Sequence, residues 1–178
     1  QLMQVVPIEK TIDARHESLP YAQVSAIIET GQDFQINQCI CKKEKALLDQ
    51  PCSRPLEVCL AIAPVADVFK DTSVGRKITK EEAYQVLKQA EDEGLVHLTW
   101  NVQNGHFFIC NCCGCCCGVL QGINELGFSA ANVINSYHVA QIDPELCMAC
   151  GLCKEERCQV NAIASGDEAY QIISNQCI

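Results

Sequence analysis

The sequence predicts an α+β chain in two parts: a cysteine-rich module of helices and a hairpin over residues 1–140, and a smaller cysteine-bearing domain over 141–178. Three observations lead there. A helix marked at both ends, Thr79–Glu93, is followed at once by two strand-like runs about Asn104-Gly105. The 15 cysteines fall in clusters rather than evenly along the chain. Beyond Asp143 the cysteine spacing becomes regular. Hydrophobic residues make up 48% of the 178, enough to bury a core and to exclude disorder by composition.

The elements follow in chain order. Ser18-Leu19-Pro20 offers a polar cap and an early proline for a helix over Tyr21–Thr30, stopped by Gly31. Phe34–Ile40 alternates loosely and reads as a strand that delivers Cys39 and Cys41. Residues 42–57 are charged and carry Pro51 and Pro55, so they read as a loop with a short helix. The apolar segment Glu57–Phe69 reads as a buried helix. Thr79-Lys80-Glu81-Glu82 is a capping box, Gly94 is the expected C′ residue, and Ala83, Val86, Leu87 and Ala90 form the apolar stripe between them. Leu95–Val102 and His106–Asn111 flank the two-residue hairpin signal Asn104-Gly105. Val119–Leu126 is expected to be a short helix ending at Gly127, and Val133–Ile142 is strand-like.

Charge and apolar patterning narrow the function classes. A formal net charge of -9 argues against nucleic acid as a partner, because phosphate binding needs a basic face. A helix followed by a hairpin is the order of a winged helix, but Glu81, Glu82, Glu91, Asp92 and Glu93 make that helix acidic. An acidic surface suits docking to a basic patch on a redox protein partner. No apolar stretch reaches the roughly 20 residues of a membrane span, and Val58–Phe69 is broken by Pro64. Gln1–Lys10 lacks the basic-then-apolar order of a secretory signal, so a cytoplasmic location is expected. There is no G-x-G-x-x-G, P-loop or H-E-x-x-H motif. His16, His97, His106 and His138 are scattered and read as surface or hairpin residues, so no catalytic residue is nominated.

The cysteines carry the chemistry. A disulfide framework fits poorly, since the count is odd and six cysteines crowd into Cys110–Cys117. Metal ligation fits better. Cys39-Ile-Cys41, Cys52 and Cys59 make a four-ligand set for an iron–sulfur cluster or zinc, with unligated core cysteines as the remaining alternative. Lys42, Lys43 and Lys45 follow directly and favour thiolate. Cys110, Cys112, Cys113, Cys115, Cys116 and Cys117 contain C-x2-C-x2-C spacings, but such density produces them almost automatically. The density is the signal, because adjacent thiols are prone to oxidation and costly as passive core. Gly114 and Gly118 let the loop fold closely round a centre. A cluster with more than four cysteine ligands, drawing also on Cys39, Cys41, Cys52 or Cys59, is a further alternative.

Cys147-Met-Ala-Cys150-Gly-Leu-Cys153, then Cys158 and Val160-Asn-Ala-Ile163, lets one tight loop wrap three corners of a cubane. Gly151 is expected to supply a positive φ there. On these residues the end of the chain resembles the bacterial two-[4Fe-4S] ferredoxin domain, which implies a ferredoxin-like, βαβ-type fold over 141–178. Two departures stand out. Four residues separate Cys153 from Cys158 where the family has three, and Gln159 stands where the family has proline. Ile142–Met148 aligns with Ile172–Ile178, so Cys177 looks like the start of a second motif, and the chain is expected to continue past Ile178. The resemblance implies that Cys147, Cys150 and Cys153 serve one [4Fe-4S] cluster and that Cys158 and Cys177 belong to the other. The wider layout is similar to multi-cluster 4Fe-4S binding proteins of anaerobes. The expected function is single-electron transfer through [4Fe-4S] clusters, as a carrier or an oxidoreductase subunit. The alternatives are a redox enzyme subunit with an atypical or catalytic cluster at Cys110–Cys117, and an iron–sulfur redox sensor. Zinc stays the alternative occupant of Cys39, Cys41, Cys52 and Cys59.

Overall fold

Alternation of apolar side chains along short strands builds one mixed sheet through the chain. The computed structural model describes residues 3–6, 24–102, 105–136, 138 and 140–178. The strands are β1 (Met3–Val5), β2 (Asp33–Gln38), β3 (Glu57–Ala63), β4 (Arg76–Ile78), β5 (Val96–Trp100), β6 (Phe108–Cys112) and β7 (Ile134–Asn135). They lie in the order β4-β2-β3-β6-β5-β1-β7. The β1–β7 pair is parallel and the others are antiparallel. The helices are α1 (Val24–Glu29), α2 (Ile40–Leu47), α3 (Lys80–Asp92), α4 (Gly118–Asn124) and α5 (Ala130–Val133). A π-helical turn, Cys153–Arg157, precedes a separate antiparallel pair, β8 (Ile163–Ala164) with β9 (Gln171–Ile172).

Register decides which face each residue occupies. Phe34 lies opposite Ile62, Ile36 opposite Leu60, and Leu60 opposite Ile109, so these side chains share one face. That face packs on Ile27 and Ile28 of α1 and on Ala83 and Leu87 of α3. Alternation sends Cys59 and Cys110 to the other face. There Leu98 and Cys112 meet Leu120 and Ile123 of α4, together with Val160 and Ala162 from the last domain. A third cluster joins Val58, Ala90 and Leu95 to Cys39, Cys113 and Cys116, so the cysteine loops are continuous with the core.

The α3 helix forms as its sequence dictates. Thr79 Oγ1 accepts from the Glu82 N–H at 3.1 Å, and Glu82 Oε2 accepts from the Thr79 N–H at 2.9 Å. Gly94 ends the helix at φ 69°. Arg157 donates to the carbonyls of Glu91 and Asp92 at 3.1 and 2.8 Å, and Arg54 donates to the Glu93 carbonyl. These cations satisfy orphan carbonyls at the negative end of the helix dipole.

Some expectations are corrected. Glu57–Phe69 is not a buried helix: residues 57–63 form β3, with Val58, Leu60 and Ile62 buried on alternate positions. A short apolar run cannot by itself distinguish the two, and strands on both sides settle this one. Val133–Ile142 is not one strand; Val133 ends α5, and only Ile134 and Asn135 pair, with β1. The hairpin is present, but β5 ends at Trp100 and β6 begins at Phe108, so the connection is longer than two residues. Gly105 has φ 79°, while Asn104 lies outside the described residues. The helix expected over Tyr21–Thr30 is observed from Val24, with Ser18–Gln23 outside the described residues. α3, β5 and β6 run in winged-helix order, yet both strands are interior to the sheet. No described helix is long and apolar enough to cross a membrane.

The packing yields a stability prediction. Leu60 is 1% exposed, so Leu60→Ala should cost about 2–5 kcal/mol. Thr79→Ala removes the cap and should cost about 1 kcal/mol. Leu47, 85% exposed, should tolerate alanine within about 0.5 kcal/mol. Urea unfolding of the three variants, metal content held equal, checks the order.

Candidate metal centre

Four separate segments bring the upstream cysteines together. Cys39 ends the β2 segment and is the N-cap of α2, which places Cys41 in the first helical turn. Cys59 lies in β3 opposite Asn37. Cys110 and Cys112 alternate along β6. The chain then turns tightly, with the Cys116 and Cys117 N–H groups donating to the Cys113 carbonyl at 3.3 and 3.1 Å, and Cys117 becomes the N-cap of α4. Cys52 arrives on the loop after α2, where its Sγ accepts from the Arg54 N–H at 3.4 Å.

Asn111, between Cys110 and Cys112, locks this arrangement. Its Nδ2 donates to the Val58 carbonyl and its Oδ1 accepts from His97 Nδ1, both at 2.5 Å. Burial holds the His97 pKa down, against the opposing pull of Asn111, so the ring is neutral with its proton on Nδ1. One buried amide thus ties β3, β5 and β6 and points Cys110 and Cys112 to the opposite face.

The ten thiols fall into two groups. Cys52 Sγ lies 3.8 Å from Cys113 Sγ and 3.5 Å from Cys115 Sγ. Cys115 Sγ lies 3.3 Å from Cys113 and 3.7 Å from Cys116. All four sulfurs are within 4.8 Å of one another, so this group could bind a metal ion. With metal–sulfur bonds of about 2.3 Å, a tetrahedral site has sulfur–sulfur edges of about 3.8 Å. A single ion therefore fits, whereas a cubane places four irons and four sulfides between its thiolates and needs them further apart. Cys115 is exposed; the other three are buried or half-buried.

The other six, Cys39, Cys41, Cys59, Cys110, Cys112 and Cys117, line a cavity of about 50 Å³ that Cys113 and Cys116 also border. Hydrogen bonds from Cys41 and Cys59 pull the Cys39 thiol down to about 2, against burial. Those from Cys112 and Cys59 pull Cys110 down to about 4. Cys117 falls to about 7 through Cys112 and the backbone N–H groups of Leu120 and Val119. Their donors Cys41, Cys59 and Cys112 are held up as thiols by the same contacts and by burial. In the first group burial raises Cys113, and it raises Cys116 to about 12. Cys52 is lowered despite burial, by the Arg54 N–H and its thiol neighbours. Dense thiols thus share charge even without metal, and a cation would make all of them thiolates.

The last domain packs against this centre. Gln159 Oε1 accepts from the Gly114 N–H at 2.9 Å, and the Gln159 carbonyl accepts from Asn124 Nδ2 at 2.9 Å. A Cβ on Gly114 would sit 2.3 Å from the Gln159 carbonyl oxygen, so the approach requires glycine. Cys153, Cys158 and Cys177 line one apolar cavity of about 260 Å³. The Cys158 sulfur accepts from the Ala162 N–H at 3.2 Å. Gly151 takes φ 83° as expected, and Ala149 also has positive φ, 50°, so the loop of Cys147, Cys150 and Cys153 turns twice through the left-handed region.

Sequence spacing grouped Cys39, Cys41, Cys52 and Cys59 as one ligand set. The structure instead puts Cys52 with Cys113, Cys115 and Cys116. Spacing also gave no sign of Asn111 and His97, and Gln159 was visible only as a departure from a pattern. Comparison with family models, curated proteins and solved structures finds no match for this chain.

Protonated Cys113 and Cys116 give a pH prediction. A divalent ion must expel their protons, so binding should release at least those two protons per ion and weaken as pH falls. Cobalt titration followed by its thiolate charge-transfer band, with calorimetry in two buffers, reads both effects. Cys52→Ala should abolish the tight band; a band that survives unchanged would show that the ion sits elsewhere.

Proposed function

We propose that this chain is an iron–sulfur protein that passes single electrons, with one centre in the sheet domain and a [4Fe-4S] centre at Cys147, Cys150 and Cys153. The observation that carries the reading is the convergence of ten cysteines from four segments, with all 15 thiols of the chain free of disulfides. Ordinary packing does not favour so many adjacent thiols, and metal ligation does. The ferredoxin-type spacing of the last domain supplies the metal identity. Direct contact between the two regions, through Gln159 with Gly114 and Arg157 with α3, supports a short path between their centres.

The remaining features agree with a carrier. The net charge of -9 suits a basic partner surface. Burial, hydrogen bonds to sulfur and nearby cations such as Lys42 are the levers that set a cluster's potential. One observation favours the second reading, an oxidoreductase subunit that works on a small substrate: Cys115, in the four-thiol group, is open to solvent. Turnover without a protein partner would favour that reading over carriage.

The test is Cys150→Ala in protein purified anaerobically. It should lose about four irons per chain, the content of one cubane, together with the EPR signal of the reduced cluster. Iron and signal equal to the parent's would remove the ferredoxin assignment.

A further inference from the structure

We propose that Cys52, Cys113, Cys115 and Cys116 hold one tetrahedral divalent ion, zinc or iron(II), that acts as a staple: it fastens the loop after α2 to the turn between β6 and α4, and so fixes the surface on which the last domain docks. The proposal goes beyond the electron-transfer reading and does not depend on what the other cysteines hold.

Geometry sets the occupant. The Cys52 sulfur lies 3.8 and 3.5 Å from those of Cys113 and Cys115, and all four sulfurs lie within 4.8 Å of one another. That is the spacing of thiolates on a single ion with metal–sulfur bonds of about 2.3 Å. Zinc and iron(II) share this thiolate chemistry. Cys113 and Cys116 also border the cavity of the other six cysteines. Cys52 and Cys115 do not line that cavity, so this site is completed from outside it.

The ligands come from two distant pieces of chain. Cys52 and Cys113 are 61 residues apart in sequence. An ion bonded to both closes a long loop, the case in which a cross-link removes most entropy from the unfolded chain. Residues 50–55 belong to no helix or strand, so side-chain and metal bonds must hold them. Cys113, Cys115 and Cys116 share one tight turn, closed by the Cys117 N–H on the Cys113 carbonyl at 3.1 Å.

Both pieces also carry the contacts to the last domain. Arg54, two residues after Cys52, donates to the Glu93 carbonyl at the end of α3 and to the Glu156 carbonyl at 3.4 Å. Gly114, between Cys113 and Cys115, donates its N–H to Gln159 Oε1 at 2.9 Å. Gly94, at the end of α3, lies so close that a Cβ there would sit 3.2 Å from the Glu156 carbonyl oxygen. Residues 156–159 thus rest on the two ligand-bearing pieces and on the end of α3. An ion that fixes those pieces relative to each other fixes both contacts at once. Linkage makes the effect reciprocal, so a docked last domain must hold the ion more tightly.

The test uses the anaerobically purified chain and two variants. Anomalous diffraction at the zinc and iron edges should place one ion, of either metal, bonded to the four sulfurs. In Cys115→Ser, which removes the exposed ligand, hydrogen exchange at the Gly114 amide and over residues 156–160 should rise about tenfold or more above the parent. Gln159→Ala, which leaves all four sulfurs in place, should hold the ion about fivefold more weakly against a competing chelator, the effect of losing one net hydrogen bond. A sulfide-bridged cluster on these four sulfurs, or no ion there, would overturn the site. Parental exchange in Cys115→Ser, or parental affinity in Gln159→Ala, would overturn the coupling to the last domain. Iron content of Cys150→Ala reports on the ferredoxin-type motif and leaves this proposal untouched.

Discussion

The side chain of Asn111 is the contact on which the rest of the centre depends. It is 1% exposed, and both ends of its amide are used, by Val58 and His97. A buried amide left without partners costs free energy on the order of a few kcal/mol, so the two bonds penalise any other register of β6. Register matters more here than in an ordinary sheet. A slip of one residue would turn Cys110 and Cys112 toward α3 and bring Ile109 and Asn111 to the metal side. The pairing of Val96 with Cys112 and of Leu60 with Ile109 is therefore also the placement of these cysteines.

Charge is the second constraint. Ten thiols in one region must either keep their protons or meet positive charge. The structure supplies positive potential from several sources. Cys39 sits at the N-terminus of α2, and Cys117 receives backbone N–H groups at the start of α4. Lys42 is buried nearby, and the Arg54 N–H reaches Cys52. Neighbouring thiols, with these groups, lower Cys39, Cys52, Cys110 and Cys117, while Cys41, Cys59, Cys112, Cys113 and Cys116 stay high.

Much of this was legible from the sequence, for identifiable reasons. The α3 helix announced itself through Thr79, Glu82 and Gly94 because caps are local chemistry. The β5 and β6 strands and the α4 helix were legible from periodicity. β3 was misread because Val58–Ala63 is a short apolar run, and only the neighbouring strands decide between helix and strand for such a run. The density of the cysteines was visible in the sequence, yet the closeness of Cys52 to Cys113, Cys115 and Cys116 was hidden. Cys52 and Cys59 are close in sequence, but one lies on a loop and the other in a strand, and the sheet carries them to different groups. Which sulfurs come together is a tertiary fact, and spacing can reveal it only where one loop carries the whole set.

Gln159 shows how a departure from a pattern can carry structural meaning. The ferredoxin pattern has proline after its fourth cysteine, a residue with no amide side chain and no N–H. Here the side chain of Gln159 accepts from the Gly114 N–H, inside the turn that carries Cys113 and Cys115. Its carbonyl accepts from Asn124 of α4, and the approach is so close that Gly114 admits no Cβ. Proline could keep the carbonyl contact but not the side-chain bond to the metal loop. Gln159 therefore joins the two cysteine regions into one packed unit, with Arg157 adding a second tie to the end of α3. A cluster held by Cys158 would sit one residue from the clamp on the turn that holds the four-thiol site. Contact between the regions is then built into the backbone and does not wait on an encounter between separate domains.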